Sequence, residues 1–269
     1  MGREERLIIL SMPMADICPP SAIYFIIPEF GPLAGLRVIG AGSLIAMPFA
    51  ATMMADFGAE VIQIERPKIG DTYRSFPPLK KTEQGTAGSS WMQDARNRLS
   101  MTLELDLNDP DVKEIVFRLI ERSDIFIENM VWLDKLGIHD SELLKINPRL
   151  VIVHVSGYGH KEFGGLPEIC NQASYDMTGQ AYSGYALFNG YPDKAPLIVK
   201  PSLGDYITAM FALFGMLSAH ISAKNTGRGQ VVDVSQFEAQ ARVMRDAFTM
   251  SSLGLAEVQR CGTKAIGFQ

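Results

Sequence analysis

The stretch Leu36–Glu65, LRVIGAGSLIAMPFAATMMADFGAEVIQIE, decides the fold. It opens on a short apolar run, Leu36–Ile39, that ends in Gly40-Ala41-Gly42, the pattern of a buried strand followed by a turn. Pro48–Phe57 has helical character: Pro48 suits a first helical turn, and Gly58 suits the position just past a helix end. Ala59–Glu65 reads as a second strand. Strand, helix and strand in succession make a βαβ unit with parallel strands.

Outward from this unit the alternation continues. Ser100–Leu107, Asp124–Asn129, Leu150–Val155 and Val231–Val234 read as further strands. Asp109 caps a helix at Pro110–Arg122, since Pro at the first helical position loses no needed N–H. Ser141–Ile146 is a short helix that stops before Asn147-Pro148. Residues 206–223 form a long helix, too apolar for a surface helix, with Gly227 just past its end in the left-handed position. Ser235 caps a last helix through Thr249. Residues 76–98 are polar and irregular and read as a long loop, a kind that often carries function. Alternating strands and helices predict an α/β fold: a Rossmann-like, mostly parallel sheet with helices on both faces. Ligands in such sheets sit at the carboxyl ends of the strands, here Gly40–Pro48, Glu65–Arg74, Asn129–Lys135 and Ser156–Gly159.

Composition narrows the function classes. The chain has 269 residues, 47% apolar and 20% charged, enough to bury a full core. With 25 basic and 30 acidic residues the net charge is −5, which argues against a general nucleic-acid binder. Cys18, Cys170 and Cys261 are an odd, widely spaced set without disulfide or zinc spacing, which fits a reducing, cytoplasmic setting. The four histidines show no metal spacing, so no metal is expected, and His154 and His220 read as packing residues. Residues 7–28 are apolar, but Asp16 and Pro19-Pro20 interrupt them before the roughly 18 residues a membrane span needs. Residues 1–28 together read as an extension outside the main fold.

Three constellations carry candidate chemistry. Gly40-Ala41-Gly42-Ser43-Leu44-Ile45 begins like a dinucleotide fingerprint, but Ile45 stands where close helix–strand packing wants a third glycine. Asp205, in Ser202-Leu203-Gly204-Asp205, is either a helix cap or a carboxylate at a cleft mouth, with Gly204 leaving room for a substrate. The two roles are compatible, and such a carboxylate can attack a thioester to give a mixed anhydride. Arg66, Lys68, Arg74, Arg96, Arg98 and Lys135 lie at or near rim loops and together could clamp the phosphates of a nucleotide-like ligand.

These residues, with the segments around them, resemble the class III CoA-transferases, a family that includes formyl-CoA transferase and the carnitine (crotonobetainyl-CoA) CoA-transferase. The likeness runs from PLAGLRVIGAG at Pro32 through DIFIEN, INPRLVIVHVSGYG, QAYSGY, LGD and KNTGRGQVVDVSQFEA. PEFGPLAGL and QAYSGY lean toward the carnitine branch. The resemblance implies acyl-CoA and carboxylic acid substrates, CoA as a substrate rather than a bound cofactor, and an interlocked homodimer. It implies Asp205 as the nucleophile. The loop Ser43-Leu44-Ile45-Ala46 would receive the thioester end, Arg66 the CoA nucleotide and Leu105 the adenine region. Asn129-Met130 would lie near the pantetheine and Lys135 would face the phosphates. Ser156-Gly157-Tyr158-Gly159 would form the acyl-site loop with Tyr158 at its reactive end.

Departures from the family pattern matter too. Ile45 replaces a glutamine of formyl-CoA transferase, Val131 replaces a lysine of the carnitine enzyme, and Tyr175 replaces the histidine of the related α-methylacyl-CoA racemases. A racemase needs two acid/base groups at the α-carbon, so the last difference counts against racemisation. A racemase-like enzyme and an inactive CoA-binding fragment are the alternatives. The resemblance further implies a large domain over residues 29–250, with 251–269 starting a linker to a small domain beyond a truncated C-terminus.

Overall fold

The computed structural model describes Ile26 and residues 30–82, 85–131, 133–255 and 259–264. The extension expected at 1–28 lies, apart from Ile26, outside the described residues. The strands are β1 (Arg37–Ala41), β2 (Glu60–Glu65), β3 (Leu79–Thr82), β4 (Gly85–Gly88), β5 (Leu99–Thr102), β6 (Ile125–Glu128), β7 (Val151–Ser156) and β8 (Gln230–Ser235). Six of them form one parallel sheet in the order β5-β2-β1-β6-β7-β8. The helices are α1 (Ala46–Asp56), α2 (Ser89–Asp94), α3 (Pro110–Glu121), α4 (Asp140–Ile146), α5 (Asp176–Tyr182), α6 (Leu203–Thr226), α7 (Gln236–Arg242) and α8 (Ala247–Ser252).

The central strands read as unbroken apolar runs because both faces of the sheet are covered. On one face Val38, Val61, Ile127, Val151 and Val153 pack under α1 and α6. Those helices meet through small side chains, Ala50, Ala51 and Ala55 against Ala209, Ala212 and Ala219, which lets them lie close to the sheet. On the other face Ile39, Ile62, Phe126 and Ile152 pack against Val116 and Ile120 of α3 and Leu143 of α4. The Asp109 carboxylate accepts from the amides of Asp111 and Val112 ahead of Pro110, as its capping role requires.

Several expectations need correction. Residues 76–98 are not one long loop: β3 and β4 pair as a small antiparallel hairpin, followed by α2. The strand expected over Ser100–Leu107 ends at Thr102. The helix after Ser235 stops at Arg242 and resumes only at Ala247. Helix α6 is a surface-layer helix after all: its inner face is core, while Phe214 on the outer face is 74% exposed and Met210 and Ile221 are exposed beside it. By length and composition alone α6 would also suit a membrane span.

β1 lies at the centre of the sheet, and the chain leaves it on one side to β2 and on the other, through β6, to β7 and β8. The loops after β1 and β6 therefore diverge, which opens a crevice at the carboxyl end of the sheet.

Candidate active site

That crevice is a cleft of about 480 Å3. Leu44, Ile45, Arg66, Leu105, Asn129, Met130, Ser156, Gly157 and Asp205, all singled out from sequence, line it together.

Its first wall is the turn after β1, held by side chains from three other segments. The Asn129 side chain brackets Ser43, accepting from its amide at 3.0 Å and donating to its carbonyl at 2.9 Å. Gln63 donates to the Gly42 carbonyl at 2.9 Å, and Asp71 Oδ1 accepts from the Leu44 amide at 2.9 Å. Gly42 has φ +146°, and a Cβ there would overlap the Asn129 side-chain oxygen. Leu44 has φ +70°, a left-handed backbone that costs a non-glycine residue about 1 kcal/mol or more. Such a conformation persists only where its surroundings over-determine it, as these three side chains do.

Asp71 is itself buried. Burial pushes its carboxyl above the ordinary range, against the pull of the Leu44 and Tyr73 amides that it accepts from. Glu65 anchors this corner, accepting from the Asp71 amide and, through both oxygens, from Arg74 at 2.7 and 2.6 Å. Burial alone would raise the Glu65 carboxyl; the bonds from Arg74, Ser100 and the Asp71 amide outweigh it and bring it lower.

The expected six-cation clamp does not assemble. Arg74 is tied inward to Glu65, Arg98 is bound to Gln63 and lies by Trp91, and Arg96 pairs with Asp56. Of the six, only Arg66 lines the cleft, 3.7 Å from Glu104. Lys135 is exposed in the turn Leu133–Leu136, outside the cleft lining.

The opposite wall carries Asp205. α6 begins at Leu203 behind Ser202, so Asp205 is its third residue and not its cap. Gly204 does not leave space for a substrate: a Cβ there would strike the Gln240 side-chain amide. The first turn is fastened by Asp176, whose Oδ1 accepts from the Gly204 amide at 2.7 Å. Asp205 Oδ1 accepts from Gln236 Nε2 at 2.5 Å, and Gln236 Oε1 in turn accepts from Ser174 Oγ at 2.7 Å. Burial, with the Asp176 carboxylate nearby, pushes Asp205 up to about 7 despite the Gln236 bond. Asp205 lines the cleft, and no hydrogen bond among the described residues engages its second oxygen.

Tyr158 and Gly159 are outside the lining. Tyr158 is buried edge-on against Tyr182 at 5.0 Å. The Gly159 amide, at φ +77°, donates to Ser156 Oγ at 2.8 Å and folds the loop back on itself.

Sequence reasoning missed Ser174, Asp176 and Gln236, and it missed a charged row under the rim. Glu128, His154 and Asp233 face each other across β6, β7 and β8 in register. His154 is not a mere packing residue. Its Nδ1 lies 2.7 Å from Glu128 and its Nε2 3.1 Å from Asp140. Burial lowers its proton affinity, but the Asp140 and Glu128 carboxylates outweigh that and take it up to about 10. His160 Nδ1 meets Asp233 Oδ1 at 2.6 Å, and its ring lines the cleft. Glu128, His154 and His160 bring potential ligand atoms within 4.8 Å of one another, yet both nitrogens of His154 already face carboxylates, the geometry of an ion-pair network. His220 lies elsewhere, beside a depression that Arg122 and Arg149 also line.

Comparison with known proteins gives a consistent picture. A family model described as CoA-transferase family III matches residues 33–268. The chain is 42% identical over 219 residues to the bile acid CoA-transferase BaiK of Clostridium scindens, covering 81% of this chain and 46% of that protein. It is 34% identical over 237 residues to the succinyl-CoA–L-malate CoA-transferase alpha subunit of Chloroflexus aurantiacus, covering 86% of this chain and 53% of that protein. The chain thus spans about half the length of these curated relatives. A crystal structure of a CAIB/BAIF family protein from Brucella suis superposes with a TM-score of 0.78 at 28% identity, covering 86% of this chain and 60% of that one.

Proposed function

The chain belongs to CoA-transferase family III, and from that premise we propose that it moves CoA from an acyl-CoA to a carboxylic acid through covalent adducts on Asp205. The observation that carries this reading is Asp205 itself: a cleft-lining carboxylate with one oxygen bonded to Gln236 and its proton affinity raised to about 7. A carboxylate of higher proton affinity is a better nucleophile, and at neutral pH enough of it is ionised to react.

The steps balance. Ionised Asp205 attacks the thioester carbon, forming an aspartyl–acyl anhydride and releasing CoA thiolate. The thiolate attacks the aspartyl carbonyl, giving an aspartyl-CoA thioester and freeing the donor acid. The acceptor carboxylate displaces CoA from that thioester to form a second anhydride. CoA thiolate then attacks the acceptor's carbonyl, which yields the new acyl-CoA and restores Asp205.

In this reading Leu44, Ile45 and Met130 pack along the pantetheine arm, Asn129 supports that wall, and Leu105 lies toward the adenine. Arg66 and Lys135 meet the nucleotide phosphates. Ser156 and Gly157 border the acyl group, with Tyr158 and Gly159 shaping their loop from behind. The setting in this reading is cytoplasmic, and the protein works as an interlocked homodimer. PEFGPLAGL and QAYSGY support carnitine-type acids as acceptors; the relatives named above carry bile acid and L-malate in their names.

The test is to incubate the protein with acyl-CoA and trap with borohydride or hydroxylamine, using L-carnitine, cholate and L-malate as acceptors. A mass change on Asp205, a decrease on reduction to the alcohol or an increase as the hydroxamate, that is lost in Asp205→Asn supports transfer. Deuterium exchange at the α-carbon without trapping supports a racemase-like activity, and CoA binding with neither supports a binding module.

A further inference from the structure

A transferase of this kind faces an electrostatic problem, and one cleft residue outside the proposed chemistry answers it. The acceptor arrives as a carboxylate in a cleft that already holds Asp205 and Glu104. Like charges brought together away from bulk water repel strongly, so a cation must accompany them. Among the described residues lining the cleft, only Arg66 and His160 can carry positive charge. Arg66 is highly exposed and lies beside Glu104, so it offsets little near Asp205.

His160 is built differently. Its Nδ1 is fixed 2.6 Å from Asp233 Oδ1, and its backbone amide donates to Asp233 Oδ2 at 3.1 Å. Asp233 is nearly buried, and the centre of the His154 ring lies 4.9 Å from that of His160. A carboxylate on Nδ1 fixes the ring orientation and leaves Nε2 as the nitrogen not held by Asp233. No hydrogen bond within the described residues occupies that nitrogen. We propose that His160, oriented by Asp233, is the acceptor-binding residue of this cleft, its Nε2–H pairing with a carboxylate of the incoming acid.

The charged surroundings favour this role. The Asp233 hydrogen bond raises the proton affinity of the imidazole above that of an ordinary histidine, against its partial burial and the His154 charge. Facing it are Asp233 from β8, His154 from β7 and Glu128 from β6, with Asp140 of α4 behind His154. The Asp233 and Glu128 carboxylates favour the charged ring over the opposing His154, and Asp233 is hydrogen-bonded to it.

The inference rests on the proposed transfer reading for its substrate class, and its test does not depend on turnover. Asp205→Asn removes the titration of the nucleophile from the measurement. In that protein the side-chain 15N–1H signals of His160 are followed while succinate, L-carnitine or cholate is added. At least one acid should shift the Nε2 signal, binding about tenfold more weakly in Asp205→Asn/His160→Gln and again when the pH is raised past the imidazole's own midpoint. If none of the three acids moves that signal, or if the His160→Gln protein binds them equally well, the inference is overturned. Should His160→Gln fail to fold, the shift in the parent protein and its loss in Asp233→Asn decide the matter. Trapping on Asp205 in the unmodified protein separates the two ideas. Acid binding at His160 without trapping sinks the transfer reading alone, and trapping without acid contact at His160 sinks this inference alone.

Discussion

Two aspartates at the carboxyl end of the sheet, Asp71 and Asp205, are both held above the ordinary carboxylate range by burial, and their surroundings differ in kind. Asp71 spends one oxygen on two backbone amides, Leu44 and Tyr73, and so ties two chain segments together. Asp205 accepts one side-chain amide, from Gln236, and faces a second carboxylate, Asp176. Backbone amides on rigid elements fix a carboxylate in place, whereas a single amide and a nearby like charge leave it ready to change its bonding. Under the proposed transfer, the difference separates a carboxylate that shapes the cleft from the one assigned to react in it.

The largest expected effect sets the two apart. Asp205→Asn should abolish covalent trapping, a loss of at least about a thousandfold in rate, while Asp71→Asn should keep measurable trapping. Equal losses in two folded variants, read by mass spectrometry, would break the distinction.

Stability should run the other way. Asp71→Ala strands the Leu44 and Tyr73 amides and should cost about 2 to 4 kcal/mol in urea unfolding. Asn129→Ala strands both polar groups of Ser43 and should cost about 1 to 3 kcal/mol, with acyl-CoA binding weakened alongside. Unchanged acyl-CoA affinity in that variant would separate the loop's shape from ligand binding.

Asp205→Asn, by contrast, should stabilise the fold. The carboxyl titrates near 7 folded and near 3.8 unfolded, so the stability it lends is full below pH 4 and is lost as pH rises through 7. The asparagine variant escapes that loss and should gain about 4 kcal/mol at pH 8, shrinking to nearly nothing at pH 4. Thermal melts at the two pH values check this.

The smallest effect refines the electrostatics. Trapping by the unmodified protein should rise with pH through about 7 as Asp205 ionises. Asp176→Asn removes the like charge and should move that midpoint to lower pH by about 0.5 to 1. A midpoint that does not move would assign the whole effect to burial.

Much of this architecture is legible in sequence, because strands buried on both faces must be continuously apolar. Leu36–Ile39, Ala59–Glu65, Asp124–Asn129 and Leu150–Val155 each fall on a sheet strand. Their ends mark the cleft, which is why Leu44, Asn129 and Ser156 are found together. The hairpin at 79–88 stays hidden because its residues are polar and its pairing has no apolar face to announce it. Ser174, Asp176 and Gln236 stay hidden because each acts through a partner distant in the chain, Gln236 reaching Asp205 thirty-one positions away. The charged row had a readable signal: IFIE, VIVHVS and QVVDVS each place one ionisable residue late in an apolar strand, and parallel register lines them up.

The turn after β1 has one more consequence. In a glycine-rich phosphate cradle, successive backbone amides point outward as a ready-made anion nest. Here the Ser43 and Leu44 amides are capped from within, by Asn129 and Asp71. What this turn offers a visitor is therefore greasy: the half-buried Leu44 side chain, backed by the buried Ile45, on a backbone already locked in shape. Under the proposed function such a doorway suits an uncharged, chain-like stretch of ligand, and any phosphate finds its donors farther along the rim.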